Sequence, residues 1–296
     1  MNGAVLQATG LNKSYGKNHV LRDLDLAVEP GKIYGLIGRN GAGKTTLLGV
    51  LTGQNTHESG TVTYGGARVW ENRKVLGELC FSRELSETML GGRNSLKVRH
   101  YLDAAALFLP HWDEAYARRL LEAFSLDPRK KIYALSKGQR SLVTVLIGLA
   151  SRAPVTILDE PAAGLDVVMR ERFYQLLLED FGETGRTFLL STHIIEEAAS
   201  VFEDVLFLDR GKIVEQGPVD ELVSQFHLVS GREDEVDRVC RGLEVLSTET
   251  LGRHKTAAVR CGGEALWAAQ TADVDISPMN LQRVFVTLCG HEPAAV

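Results

Sequence analysis

Gly38-Arg39-Asn40-Gly41-Ala42-Gly43-Lys44-Thr45 decides the reading of this chain. The stretch follows the apolar run Ile33-Tyr34-Gly35-Leu36-Ile37 and precedes a helical run beginning Thr46-Leu47-Leu48. Strand, glycine loop and helix in that order are the context of a phosphate-binding loop. Glycines let successive backbone N–H groups turn inward around a phosphate, where a Cβ would block them. The helix behind aims the positive end of its dipole at the same point. Lys44 adds a mobile charge for the outer phosphates, and the Thr45 hydroxyl is suited to ligate Mg²⁺.

The 296 residues allow one large domain, or a large one with a small one beside it. With 44 % hydrophobic and 24 % charged residues, the composition is that of a soluble globular protein. A net charge of −5 lends no support to general nucleic-acid binding, and no nucleic-acid partner is expected. Cys80, Cys240, Cys261 and Cys289 lie far apart, with no CxxC pair and no histidine spacing suited to zinc. Isolated thiols without a signal peptide fit a reducing cytoplasm, where they serve as small buried apolar residues. The longest strongly apolar segment, Leu142 to Ala150, is about half the length of a bilayer crossing, so any membrane role needs a partner.

Ahead of the loop, Ala4 to Gly35 reads as short strands with tight turns. Val5-Leu6-Gln7-Ala8 is apolar, Leu21 to Val28 alternates, and Pro30-Gly31 is a turn. Tyr15 is either a half-buried strand aromatic or, near a nucleotide, a flat ring for stacking on a base. Beyond the loop helix, Gly60 to Gly66 looks like a strand ending in a turn, and from about Ser95 to Ser125 the pattern turns helical. Leu102, Ala105, Ala106 and Leu109 share one face, Leu120, Leu121 and Phe124 recur after Pro110, and Pro128 breaks the run. Leu135-Ser136-Lys137-Gly138-Gln139 then precedes a nearly all-apolar helix from Ser141 to Ala150. Ser136 and Gln139 have the spacing of a capping box. The same hydroxyl, N–H groups and helix dipole also suit a phosphate, and the two readings are compatible.

Val155-Thr156-Ile157-Leu158 has the length of a buried parallel strand and ends in Asp159-Glu160-Pro161, where open α/β sheets place ligands. Unless the pair is simply a polar loop, Asp159 is suited to hold Mg²⁺ through its water shell and Glu160 to polarise an attacking water. Ala163-Gly164-Leu165-Asp166 leads into a helix from Met169 to Phe181. Another buried strand, Thr187 to Thr192, ends at His193, either a hydrogen-bonded end residue or a neutral imidazole for a γ-phosphate or the water. Val205 to Leu208 and Ile213 to Glu215 form a hairpin, and Leu222-Val223 closes the first domain. From Phe226 the texture changes. A strand at His227–Ser230, a charged helix at Glu233–Arg241, a strand at Ala257–Arg260 and an amphipathic helix at Leu281–Leu288 make a small α+β unit without a catalytic constellation. The boundary falls near Gln225, giving domains 1–225 and 226–296, with a helical subdomain at about 85–150.

Taken in order, these residues resemble the ATPase subunit of ATP-binding-cassette (ABC) transporters over about Ala4 to Val223. GRNGAGKT is similar to the Walker A motif, LSKGQ to the family signature, VTILDEP to Walker B, AGLD to the D-loop and STH to the switch histidine. Tyr15 falls where the family keeps its adenine-stacking aromatic. Several P-loop families share the first and third motifs; the signature, D-loop and histidine in this order are specific to this one. The resemblance implies an α/β, P-loop NTPase fold with a mixed sheet, an antiparallel β subdomain and a helical subdomain. It implies ATP and Mg²⁺, with Gly38, Asn40, Gly41, Ala42, Gly43, Lys44, Thr45 and Thr46 around the phosphates and Thr45 and Asp159 on the metal. Glu160 would be the catalytic base, and His193 would sense the γ-phosphate. It also implies a head-to-tail dimer with a second such subunit, identical or related. Ser136 and Gly138, with Gln139 beside them, would cap the γ-phosphate of the partner's nucleotide, and Asp166 would couple the two sites. Integral-membrane permease subunits would hold the pair peripherally on the cytoplasmic face of the membrane.

The single cassette, the short appended unit and the closing Pro278-Met279-Asn280-Leu281-Gln282-Arg283-Val284-Phe285 resemble bacterial exporter-type subunits encoded apart from their permease. Two positions depart from the family's pattern. Lys137 stands where a second glycine is usual, and no glutamine lies between Gln54 and Gln139. The family's glutamine loop corresponds to Cys80-Phe81-Ser82-Arg83-Glu84, with Ser82 or Arg83 near the glutamine position. With Glu160 and His193 both present, hydrolysis is expected. The departures motivate an alternative, a regulatory ATP-binding subunit of low turnover. A cassette ATPase acting on ribosomes or DNA is a further alternative, but the chain has no second cassette, long coiled-coil insertion or basic stripe.

Overall fold

A computed structural model describes residues 3–85, 96–262, 266 and 273–290. Strand β1 (Leu6–Tyr15) pairs antiparallel with β2 (Asn18–Val28) and β4 (Ser59–Tyr64), and β5 (Ala67–Arg68) completes a sheet of order β2-β1-β4-β5. β1 is longer than its apolar start. Pairing with β4 reaches Asn12, and pairing with β2 carries the strand on through polar Lys13 and Ser14 with bulges, so Tyr15 closes it. A second sheet has the order β10-β9-β3-β8-β7-β6, built from β3 (Ile33–Ile37), β6 (Leu79–Ser82), β7 (Val155–Asp159), β8 (Thr187–Thr192), β9 (Asp204–Asp209) and β10 (Lys212–Pro218). Only β10 runs antiparallel in it, which makes the sheet mixed.

Successive side chains of the buried strands go to opposite layers. Tyr34 and Leu36 join a core with α1 (Lys44–Leu51) and the antiparallel sheet, whereas Ile33 and Ile37 join a core with the helices on the other face. Those helices include α3 (Val98–Phe108), α4 (Glu114–Ala123), α5 (Lys137–Ala150) and α6 (Val167–Thr184); α2 (Arg73–Gly77) is a short turn before β6. Residues 86–95 of the expected helical subdomain lie outside the described residues. α3 buries Val98 and Leu102, and ends before Leu109, so the expected four-residue face is shorter than its spacing suggests. α5 starts four residues ahead of its apolar run because the Ser136–Gln139 capping box is formed.

A buried ionic cluster ties the helices to the sheet. Asp180 on α6, 0 % exposed, accepts from Arg186 Nε at 2.9 Å and Nη2 at 2.6 Å, and lies 3.0 Å from Arg152 Nη1. Arg152 also donates from Nε to Asp113 at 3.2 Å, and its guanidinium lies 3.9 Å from the centroid of the Tyr116 ring. Asp113 caps α4 by accepting from Tyr116 N, a bond that holds its carboxyl below the usual range, with Arg152 acting in the same direction.

After α7 (Ile195–Ala198) and α8 (Val219–Ser224), a third sheet forms from β11 (Phe226–Arg232), β12 (Glu244–Leu251), β13 (His254–Arg260) and β14 (Val274–Pro278). Its order is β12-β13-β11-β14, antiparallel throughout. β12 and β14 have no counterpart in the sequence reading; β12 is an edge strand whose Ser247 to Thr250 gives no apolar alternation. Helix α9 (Glu233–Val239) packs with Val229, Ala257 and Val259 on one face. Helix α10 (Leu281–Cys289) shares the opposite face with Phe226 and Ala258, and there the unit's core is continuous with the helical side of the large sheet.

Candidate functional site

The strand bearing Asp159 is not beside the strand that leads into the glycine loop. β8 lies between them, so loop, acids and His193 emerge together from the carboxyl edge of β3, β7 and β8. Gly41 and Gly43 have φ of 83° and 108°, left-handed values that any Cβ resists. No side chain caps α1, which leaves its first N–H groups available to a ligand. A cavity of ≈ 350 Å³ lies against Asn40, Gly41, Gly43, Lys44, Thr45 and Thr46, with Arg39, Glu160 and Val20 completing its wall. Ala42 turns into the apolar core instead.

Lys44, only 7 % exposed, donates from Nζ to Gly38 O at 2.6 Å and lies 3.3 Å from Glu160 Oε1. Thr45 Oγ1 donates to Asp159 Oδ2 at 2.7 Å, which places two hard oxygen donors together, the kind Mg²⁺ selects. Ser191, opposite Asp159 in the β7–β8 register, donates to Asp159 Oδ1 at 2.5 Å and accepts from Glu160 N at 2.9 Å. Glu160 itself has φ of 49°, a conformation costing on the order of 1 kcal/mol for a residue with a Cβ. His193 Nδ1 is 2.7 Å from Glu160 Oε2. A carboxylate oxygen only accepts, so Nδ1 carries the proton and Nε2 is left for another partner. Glu160 is thereby held between Lys44 and His193.

Ser136, Gly138, Gln139 and Asp166 lie elsewhere, around a cavity of ≈ 310 Å³ that Phe124 and Met169 also line. Gln139 N donates to Ser136 Oγ at 3.2 Å, and Ser136 N donates to Gln139 Oε1 at 3.3 Å. A Cβ on Gly138 would come within 2.5 Å of Gly164 O, so this glycine is what lets the start of α5 lie flush on the Ala163–Asp166 loop. Ser141 Oγ joins the same loop by donating to Ala163 O at 2.9 Å. Asp166 caps α6 by accepting from Met169 N at 2.9 Å. Arg170, one turn into α6, donates from Nη2 to Leu165 O at 3.1 Å and pairs through Nη1 with Glu197 on α7. Burial, and then the nearby Glu197 carboxylate, pushes the Tyr174 hydroxyl on the same helix up to about 12.

Tyr15 does not line the first cavity. It stands 52 % exposed at the end of β1 with Lys13 Nζ 4.9 Å from its ring centroid, and the β1–β2 hairpin contributes Val20 instead. Lys137 reaches away from the glycine loop: its Nζ lies 3.7 Å from Glu84 Oε1, in the segment that stands for the glutamine loop. Ser82, in that segment, is buried and donates to Thr144 O at 2.5 Å, which uses its one donor. The two departures from the family pattern therefore face each other. Sequence reasoning missed Ser191, Val20 and Arg170. The signal for Ser191 was its hydroxyl at the end of a buried strand, one residue before Thr192 and two before His193.

A glycine loop on a buried parallel strand, with paired acids two strands away, defines a P-loop nucleotide-binding unit. The family model described as ABC transporter matches residues 21–163. The chain is 30 % identical over 303 residues to the Nod factor export ATP-binding protein I of Cupriavidus metallidurans, covering 98 % of each chain. It is 25 % identical over 291 residues to an ABC transporter ATP-binding protein of Bacillus subtilis, covering 97 % of this chain and 98 % of that one. An aliphatic sulfonates import ATP-binding protein of Xanthomonas axonopodis pv. citri is 33 % identical over 213 residues, 71 % of this chain and 70 % of its own. Among solved structures, an ATP-binding subunit of an ABC transporter superposes with a TM-score of 0.63 at 25 % identity, over 74 % of this chain and 91 % of that one. A dimeric cassette in a post-hydrolysis state bound to ADP and Pi shares the fold, with a TM-score of 0.62 at 20 % identity over 72 % and 98 % of the two chains. The chain belongs to the ATP-binding subunits of ABC transporters, a family of ATPases. No helix among the described residues is long and apolar enough to cross a membrane.

Proposed function

We propose that this chain is the ATP-hydrolysing subunit of an ABC exporter and works as a head-to-tail dimer on permease subunits. The observation that carries the reading is the separation of two cavities within one chain. Lys44, Thr45 and Glu160 line the first, with Asp159 bonded to Thr45 and His193 to Glu160, and Ser136, Gly138, Gln139 and Asp166 gather at the second. Neither encloses a nucleotide by itself; pairing with an identical or related subunit would bring each against the other's complement. Export is supported by the match to the Nod factor export relative over nearly all of both chains, whereas the match to the sulfonate import relative ends at about seven-tenths of each. In this reading residues 1–225 are the motor and 226–296 an accessory unit, and the pair sits on the cytoplasmic face of the membrane through the permease.

The loop N–H groups, the α1 terminus and Lys44 would bind the phosphates, and Tyr15 would offer its ring to the adenine. Phosphate oxygens compete with Glu160 for Lys44, freeing the carboxylate to accept a proton from the attacking water. Ser191 fixes the Glu160 backbone and His193 Nδ1–H steadies Oε2, while a second proton, on Nε2, would let the imidazole donate to the γ-phosphate as well. Mg²⁺, which Thr45 and Asp159 would hold, supplies neutralisation of charge on the phosphate oxygens. ATP then clamps the two subunits, and hydrolysis releases them, moving the permease between conformations.

Glu160→Gln is expected to keep ATP binding and abolish turnover, and Lys44→Ala to weaken binding itself. Phosphate release from the complex co-purified with its membrane partner checks this. A wild-type rate no higher than that of Glu160→Gln would replace the motor with the low-turnover regulatory subunit. Native-membrane extraction that never recovers the chain with a multi-helix membrane protein would remove the transporter assignment.

A further inference from the structure

Helix α7 begins two residues beyond His193 and is only four residues long, too short to hold a position by its own hydrogen bonds. Three neighbours hold it. In front, His193 Nδ1 meets Glu160 Oε2 at 2.7 Å. At its side, Glu197 on α7 pairs with Arg170, which also reaches Leu165 O of the loop at the second cavity. Behind it lies α10, from the far end of the chain. Ile195 and Ala198 of α7 share one continuous apolar cluster with Leu281, Val284 and Phe285 of α10. Phe285 is anchored in turn, its ring meeting that of Phe207 on β9 edge-on with 5.3 Å between centroids. Phe207 stands opposite Ile37, the last residue before the glycine loop.

We infer that α10 is a positioning element for the switch histidine: by backing α7 it keeps His193 on Glu160, so the carboxyl-terminal unit governs ATP turnover without touching the nucleotide. The inference rests on the roles proposed above for His193 and Glu160. Close-packed side chains pass displacement from one element to the next, because the interior has little free volume to absorb it. Truncating Phe285 opens space behind α7, into which the short helix settles, drawing His193 away from the carboxylate. The other face of the same unit offers a contrast. Val236 on α9 is buried even more completely but belongs to a separate cluster with Val229, Ala257 and Val259, which has no member on α7.

The test measures ATP turnover and ATP affinity of the full-length chain in complex with its membrane partner. Phe285→Ala is expected to lower kcat at least about fivefold while KM stays within about twofold, the pattern of a lost transition-state interaction. Phe285→Leu should recover most of the loss. Val236→Ala should lower the thermal midpoint and leave kcat unchanged. An unchanged kcat in Phe285→Ala, alongside lost turnover in His193→Ala, overturns the inference, as does an equal fall of kcat in Val236→Ala. Should Phe285→Ala not fold, Val284→Ala answers the same question with the same two outcomes. Unchanged turnover in His193→Ala instead overturns the role given to the histidine, a failure distinct from that of α10.

Discussion

Ser191→Ala removes a single oxygen from a fully buried position between the two acids. Its hydroxyl donates to Asp159 Oδ1 and accepts from Glu160 N, so the substitution breaks two hydrogen bonds and leaves the Glu160 N–H without its acceptor. A bond to a charged group and an orphaned backbone donor together amount to about 2–3 kcal/mol. In a chain of this size each kcal/mol moves the thermal midpoint by about 2 °C, so the expected drop is roughly 4–6 °C. Activity should fall further than stability explains. The Glu160 backbone is held at φ 49° against its own preference, and losing the Ser191 anchor lets it relax and turns the carboxylate from the water. An effect on orientation alone is worth about ten- to hundredfold in kcat. ATP affinity should stay within about threefold, because Lys44 and the glycine loop do not touch Ser191. Differential scanning calorimetry, a phosphate-release assay and nucleotide titration on the same preparation read all three. A lowered midpoint with wild-type kcat would reduce Ser191 to a structural residue, and an unchanged midpoint would refute the energetic reasoning.

Asp180→Ala should cost about 3–5 kcal/mol, because it leaves the buried Arg186 without its carboxylate, whereas the partly exposed Arg152 keeps Asp113; urea unfolding checks this, and a loss under 1 kcal/mol would mean the cluster relaxes around water. His227, 3 % exposed, has its imidazole held by burial below the usual value near 6.5. The unfolded chain therefore binds the proton first: stability from this residue is fully present above about pH 6.5 and is lost as the pH falls through the folded value. His227→Leu should flatten the decline in urea midpoint between pH 7.5 and 5.5, and an unaltered slope would place that proton uptake elsewhere.

What could be read from the sequence was what neighbouring residues encode together. The glycine loop, the Ser136–Gln139 cap and the Asp159-Glu160 pair each depend on a few consecutive residues, and each stands in the structure with the local geometry its spacing implies. What could not be read depends on strand order. Ser191 meets Asp159 only because β8 lies between β3 and β7, a fact that no local pattern contains. Lys137 reads only as a lysine in a glycine's place until its partner, Glu84, is found more than fifty residues away. β12 escaped because an exposed edge strand of serines and threonines carries no apolar alternation, and β1 was cut short because its polar half is held by pairing rather than by hydrophobicity. Tyr15 was legible as an aromatic near the loop, yet which residue of its hairpin faces the cavity was set by bulges in β1.

The Asp180 cluster also fixes where the helical part of the molecule turns. α5 ends at Ala150, two residues before Arg152 enters that cluster, and its other end carries Gly138 at the second cavity. At 1.5 Å per residue the fourteen-residue helix is an arm of about 21 Å, clamped at its root. A tilt of about 10° at the root sweeps the tip by about 3–4 Å, more than a hydrogen bond's length, while Asp113 and Tyr116 hardly move. Gly138 lies flush on Gly164, and Ser141 is bonded to Ala163 O, so the arm drags the loop before α6 with it. Whatever tilts the helical part near this clamped root is thus geared up, reaching the second cavity as a single stroke of arm and loop together.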